Sequence, residues 1–465
     1  MTRIGLVVHG QPPELVGGTE RLVSELAESL SARGDAVEIF SGSIEWRPAF
    51  EVVRDESGAV PIVRVHRHDL FFERWDKLEN PFVERAFGAW LDEFKPDLVH
   101  VHHWARLTTR LVSVAKTRGV PVVLSLHDLF STCPRYHRVK ADLSFCDVPA
   151  AADACRNCAP RWRFQGDAEI DGSVGVFAAD LRAEVAAADA LVAPTEGHGR
   201  RVLQWLELDR PVTAIAPASA PAIEPATRPL GSEAASVERP LAVGVFGHLH
   251  PLKGVEVLLD AQAALPDPSL VELHVWGAAP TPEMDAAVKA RAGDRRVVWH
   301  GAYQPGDLSG APVDVAVLPT LCAESYSFAA DEAASLGVPI LASDLGALTD
   351  RATGRHALFP RGDAAALAAQ LAELAADPAR RDAMAAAPAP PLTHTGRHLA
   401  ELSAVYDALP AAALQPAPAS AEADLARREH AFTLREAGLN ELLRSEGWED
   451  EITRLQAEIA RLQGP

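Results

Sequence analysis

The chain has 465 residues, 48% of them hydrophobic, and sets 44 Lys and Arg against 64 Asp and Glu for a formal net charge of −20. That length exceeds what one hydrophobic core serves and points to two domains with an appendage. The acidic balance repels nucleic acid backbones and argues against a polybasic membrane anchor.

The opening MTRIGLVVHG reads as one short strand rather than the longer apolar region of a signal peptide. No apolar run approaches the ~20 residues needed to cross a bilayer. Five cysteines, an odd number in so long a chain, fit a reducing compartment better than a disulfide framework. The expectation is a cytoplasmic protein.

Strand candidates then alternate with amphipathic helices: IGLVVHG, TERLVSELAESLSARG, AVEIFSG, DLVHVHH, RLTTRLVSVAKTRG and PVVLSLHD. Such alternation indicates a parallel sheet covered on both faces, here over residues 1–215. Residues 216–240, rich in Pro and Ala, form a linker by composition. A second alternation over 241–390 runs through LAVGVFGHLH, GVEVLLDAQAAL, VELHVWG, RVVWHG, DVAVLP and PILASD. The expected fold class is α/β, two doubly wound Rossmann-like domains facing across a cleft. Residues 391–409 hold a helix that could return to the first domain, 410–421 form a second linker, and 422–465 read as a charged helical tail. The end of that tail spaces Ile452, Leu455, Ile459 and Leu462 as a short heptad seam, which allows self-association.

The most informative stretch is LPTLCAESYSFAADEAASLGVPILASD, from Leu318 to Asp344. It reads as a strand, a tight loop, a helix closed by Gly337 and a second strand. In such units a ligand sits at the carboxyl end of the first strand, where the helix N-terminus presents free amides to an anion. Glu324 and Glu332 then suit the hydroxyls of a sugar nucleotide and the amides suit its phosphates. Lys253, in the turn HPLKG, can neutralise a leaving diphosphate without a metal ion. No GxxxxGK[ST] occurs, which excludes an ATP-binding P-loop.

Gly17 and Gly18 lie between the first strand and first helix, where glycine lets the backbone approach a ligand, or merely turns the chain. His127 ends the strand PVVLSLHD, a position from which an imidazole could hydrogen-bond a sugar hydroxyl near the reacting carbon. Cys133, Cys146, Cys155 and Cys158 fall in one loop, over 133–158, with only the last two in CxxC spacing. A structural zinc, unliganded thiols and a redox pair are the alternatives.

Together the GGTE loop, the strand ending in His127, the LKG turn at Lys253 and AESYSFAADEAASLGVPILASD resemble the retaining glycosyltransferases of family 4, which have the GT-B fold. The resemblance covers about residues 1 to 409, and the glutamate pair with seven residues between is its most specific part. It implies a transferase of bacterial type moving sugar from a nucleotide-diphosphate donor to a cell-envelope polysaccharide, glycolipid or small-molecule acceptor, sugar- or lipid-linked, at most peripheral to the inner face of the membrane. Lys253 would bind the diphosphate, Glu324 the transferred sugar, the backbone around Tyr326, Ser327 and Phe328 the distal phosphate, Glu332 the ribose, and His127 the region of the anomeric carbon. No cofactor is required for that chemistry. Two residues depart from the family pattern. His248 stands where members usually carry an arginine, and Ser327 stands where the loop frequently has glycine. The alternative to an enzyme is an idle GT-B scaffold working through its tail.

Overall fold

The computed structural model describes residues 1–162, 165–219 and 222–445. Its described residues divide into two compact units that do not follow chain order: those within 1–125, 179–189 and 409–445 cluster as unit 1, and those within 126–178 and 190–408 as unit 2.

Unit 1 is built on β1 (Arg3–Val8), β2 (Ala36–Gly42), β3 (Glu51–Asp55), β4 (Ile62–His66), β5 (Leu98–Val101) and β6 (Val122–Ser125). They lie in the order β3-β4-β2-β1-β5-β6, parallel except for β3 against β4. β1 and β5 are almost wholly buried apolar runs, as strands covered on both faces must be. The chain crosses to β2 on one side of β1 and to β5 on the other, so a topological switch point lies between β1 and β5.

Unit 2 contains the short parallel pair β7 (Ala190–Ala193) and β8 (Thr213–Ala214) and a parallel six-stranded sheet. Its strands are β9 (Leu241–Phe246), β10 (Val271–Trp276), β11 (Val297–Gly301), β12 (Val315–Leu318), β13 (Ile340–Ser343) and β14 (His356–Phe359), in the order β11-β10-β9-β12-β13-β14. One face packs on a cluster including Leu258, Leu259, Leu367 and Leu371, and the other on Trp276, Leu308, Ala333 and Leu336. Here the switch point falls between β9 and β12.

The tail is a helix, Ala419–Ser445, that docks on the helix Pro81–Phe94. Leu425, Phe432 and Leu443 are buried, with Phe432 edge-on to Phe82 at 5.7 Å. Its charges find partners too: Arg428 grips the buried Glu84 with both terminal nitrogens at 2.6 and 2.5 Å, Arg85 grips Glu429 at 2.5 and 2.8 Å, and Lys77 pairs with Glu436. A sequence with little apolar contrast therefore makes a seated helix by burying paired charge. The heptad seam from Ile452 to Leu462 lies outside the described residues. Among the described residues no helix is long and apolar enough to cross a membrane.

Candidate functional site

Two loops meet at the β9/β12 switch point of unit 2. After β9 the chain turns through Pro251–Lys253 and enters the next helix at Gly254, whose φ is +72°. A Cβ there would lie 1.8 Å from the Pro319 carbonyl oxygen, so glycine alone lets this turn press against the end of β12. The Leu252 carbonyl accepts from the Leu321 amide at 2.7 Å and from Thr320 Oγ1 at 3.1 Å, stitching the two loops together.

That stitching delivers Lys253 Nζ to 2.6 Å from Glu324 Oε1. Burial works against the Lys253 cation, but the Glu324 carboxylate overcomes it and holds the lysine above its ordinary range. The amine stays charged on a side chain that is 40% exposed. The Glu324 backbone is fixed in turn, its carbonyl accepting from the Ala347 amide at 2.8 Å.

Beyond Glu324 the loop enters the helix Phe328–Leu336 through Ser327, which adopts the left-handed region at φ +74° without using its hydroxyl as a cap. An L-residue holds such a backbone only where its surroundings impose it. Arg351 does so: its guanidinium lies over the Tyr326 ring at 3.8 Å, donates to the Tyr326 carbonyl at 2.9 Å and the Ser327 carbonyl at 3.3 Å, and pairs with Asp331. Ser219 hydrogen-bonds both Asp331 and the Tyr326 hydroxyl, the latter at 3.0 Å. The first amides of the helix are thereby presented on a rigid loop, with Phe328 exposed beside them. Glu332, one turn on, is 8% exposed and accepts from the Tyr303 hydroxyl at 2.7 Å. Burial pushes its carboxyl up to about 7.

The remaining predicted residues fall as follows. His127 is half-buried two residues past the end of β6, and His248 is exposed two residues past β9. Gly18 begins the helix Gly18–Ala32 and Gly17 is its N-cap. At Gly17 a Cβ would sit 2.5 Å from Glu20 Oε2, so the glycine makes room for a carboxylate of the chain itself, one that pairs with His9 at 2.7 Å.

Of the four loop cysteines Cys133 is buried and the others partly so, and burial pushes the thiols of Cys133, Cys155 and Cys158 up. They do not close into one ligand set. Among the described residues the group whose ligand atoms lie within 4.8 Å of one another is Glu14, Glu45 and His66, where the carboxylates already pair with Arg64 at 3.5 Å and Arg47 at 2.9 Å. Electrostatically the cysteines converge on Arg138, a buried guanidinium that feels Cys133, Cys146 and Cys155 and lies 4.0 Å over the Trp205 ring. Arg138 also donates to the carbonyls of Thr132 at 2.8 Å, Cys146 at 2.9 Å and Val148, which stiffens the loop.

Sequence reasoning missed Tyr303, Arg351, Arg361 and His137. The first stands in GAY just past β11, a strand-end position that was open to the same argument as His127. Arg361 joins the Leu321 carbonyl at 2.6 Å to the Leu143 carbonyl of the cysteine loop. His137, from the same loop, feels Lys253 and Glu324, and burial lowers its pKa. Nothing in the spacing of a lone histidine signals that.

Two doubly wound α/β units, with a cation–carboxylate pair at a switch point, define the GT-B class of transferases. The family model for Glycosyltransferase Family 4 matches residues 16–221 and that for glycosyl transferases group 1 matches 240–377. The D-inositol 3-phosphate glycosyltransferase of Streptomyces avermitilis is 30% identical over 401 residues, covering 78% of this chain and 76% of the relative. That of Segniliparus rotundus is 27% identical over 420 residues, covering 83% and 82%. Sucrose-phosphate synthase from Thermosynechococcus elongatus superposes with a TM-score of 0.61 at 19% identity, over 88% of this chain and 98% of that one. Anabaena HepE in complex with UDP and glucose gives 0.56 at 15% identity, over 88% and 100%. The chain belongs to glycosyltransferase family 4 and is an enzyme that transfers sugar from a nucleotide-diphosphate donor with retention of configuration.

Proposed function

We propose that unit 2 holds the nucleotide-diphosphate sugar at the β9/β12 switch point. In this reading Lys253 binds the diphosphate, with His248 in place of the family's arginine, and Glu324 orients hydroxyls of the transferred sugar while keeping Lys253 charged. The amides around Tyr326, Ser327 and Phe328 meet the distal phosphate, and Glu332 holds the ribose. His127 stands by the anomeric carbon. The chemical burden is a leaving diphosphate and an oxocarbenium-like sugar, both stabilised by fixed charges and dipoles. The departing phosphate oxygen takes the acceptor proton on the face it leaves, so no protein nucleophile and no metal enter the step.

The observation that carries the reading is the Lys253–Glu324 pair at 2.6 Å, built by two loops from adjacent strands. Its test is nucleotide release from a panel of sugar donors, with an acceptor panel spanning inositol 3-phosphate, suggested by the names of the relatives, and lipid-linked sugars. Turnover that survives in both Lys253→Ala and Glu324→Ala would remove the pair from the mechanism. For the cysteine loop the proposal is a structural zinc that draws Cys133, Cys146, Cys155 and Cys158 together, Arg138 offsetting part of the thiolate charge. Metal analysis of the purified chain finding no zinc retires it. A cytoplasmic enzyme, peripheral to the membrane where the acceptor is a lipid, that takes no nucleic acid partner and self-associates through its C-terminal seam completes the reading. Sedimentation of the full chain against one ending at Ser445 tests the last point.

A further inference from the structure

Glu332 is held differently from Glu324. No cation faces it. Its own helix supplies Asp331, which is engaged by Arg351 and Ser219. The strands β12 and β13 that pack against that helix carry no titratable side chain, and the neighbouring turn Pro305–Leu308 carries only Asp307, which caps its own turn through the Gln304 amide at 2.7 Å. What holds the carboxylate is one neutral hydroxyl. The Tyr303 ring packs on the apolar cluster around Phe246, Trp276 and Leu308, and its hydroxyl donates to Glu332 Oε2 at 2.7 Å. Among the described residues no other hydrogen bond reaches that carboxylate.

We propose that Tyr303 is a positioning residue for donor binding: its hydroxyl occupies one oxygen of Glu332, turns the other toward the ribose, and keeps the carboxylate in its accepting form. The proposal rests on the donor-site reading above, in which Glu332 meets the ribose hydroxyls. A ribose hydroxyl is a donor here and needs an ionised or at least unprotonated oxygen to accept it. Tyr303 supplies the one interaction that favours ionisation of Glu332, against burial and the nearby Asp331. Burial and the Glu332 charge meanwhile push the Tyr303 hydroxyl well above its ordinary range, so it remains a donor throughout.

The sign of the pH effect follows. The nucleoside binds the ionised carboxylate, so affinity is full above the pKa of the free protein and falls as pH drops through it, near about 7. Removing the hydroxyl raises that pKa and moves the fall to higher pH. A residue that merely fills space would lower thermal stability and leave the midpoint where it was.

The experiment measures the affinity of UDP, ADP and GDP, and of inorganic pyrophosphate, for the full chain by calorimetry across the neutral pH range, in wild type, Tyr303→Phe and Glu332→Gln. For the tightest nucleotide, Tyr303→Phe is expected to weaken binding at neutral pH by roughly three- to tenfold, the worth of one hydrogen bond, and to shift the pH midpoint upward. Glu332→Gln removes the midpoint, pyrophosphate is indifferent to both changes, and turnover of Tyr303→Phe shows raised KM with kcat retained. An unchanged affinity and midpoint in Tyr303→Phe, while wild type binds a nucleotide, overturns the inference alone. Absence of nucleotide binding in wild type at every pH overturns the donor-site reading and takes this inference with it.

Discussion

The two switch points of the molecule share a backbone plan and differ in chemistry. In unit 2 the ends of β9 and β12 carry a charged pair, Lys253 and Glu324. At the corresponding point in unit 1 the ends of β1 and β5 carry imidazoles: His9 lies 4.3 Å from His103 between ring centroids, His100 lies 3.9 Å from His102, and Glu20 meets His9 at 2.7 Å. Burial and His103 lower His9 to about 4, so it is neutral at physiological pH despite its carboxylate partner. Charge that survives burial suits a diphosphate, and a neutral imidazole such as His9, which can both donate and accept, suits hydroxyls. On the proposed reading the diphosphate belongs at the unit 2 point and the acceptor hydroxyls at the unit 1 point, a division set by the side chains at the strand ends.

That contrast can be broken at its strongest point first. Lys253→Ala removes the one cation paired at the unit 2 switch point and is expected to lower kcat/KM by roughly 10²- to 10³-fold, as loss of a preorganised charge does elsewhere. A smaller loss, measured by donor turnover, would mean that His248 or His137 carries the phosphate. Next comes the dependence of unit 1 on its tail. Arg428→Ala leaves the Glu84 carboxylate buried without its guanidinium and should cost roughly 3 kcal/mol in denaturant unfolding, with nucleotide affinity unchanged. A matching drop in nucleotide affinity would show that the tail serves more than unit 1.

Glu20→Gln tests the hydroxyl character of the unit 1 point. It should weaken the acceptor by several-fold, seen as a raised acceptor KM, and leave the donor KM alone. An effect confined to the donor KM would remove Glu20 from the acceptor. The smallest effect is Ser327→Gly, which relieves a left-handed backbone and should stabilise unit 2 by about 1 kcal/mol in thermal unfolding. If it also weakens donor binding, and Ser327→Ala does the same, the hydroxyl touches phosphate; if Ser327→Ala leaves donor affinity unchanged, it does not.

Much of this was legible in the chain. Apolar strands alternating with helices, glycine at 254 and 337, and two glutamates eight positions apart announce a doubly wound unit with its ligand at a helix N-terminus, because local periodicity and turn chemistry are properties of neighbours in sequence. Tyr303 stands at a legible strand end, but its partner Glu332, 29 positions away, was illegible, as was Arg351, 24 positions from Ser327, because such partners are brought together by the sheet order. The tail was legible as a charged helix, but not its seat. Pairing across helices distant in sequence lets Glu84, Glu436 and Lys77 be buried that would otherwise stay in water.

The glutamate pair shows the division most plainly. Spacing alone established that Glu324 and Glu332 belong to one loop and one helix above a strand end, composition established an acidic protein, and length with strand–helix alternation established two α/β units. Only the tertiary structure decided that Glu324 has a cation and Glu332 a phenol. The dielectric and the partner around a carboxylate are set by groups distant in sequence, and those two terms determine whether it holds a charge, a proton or a sugar.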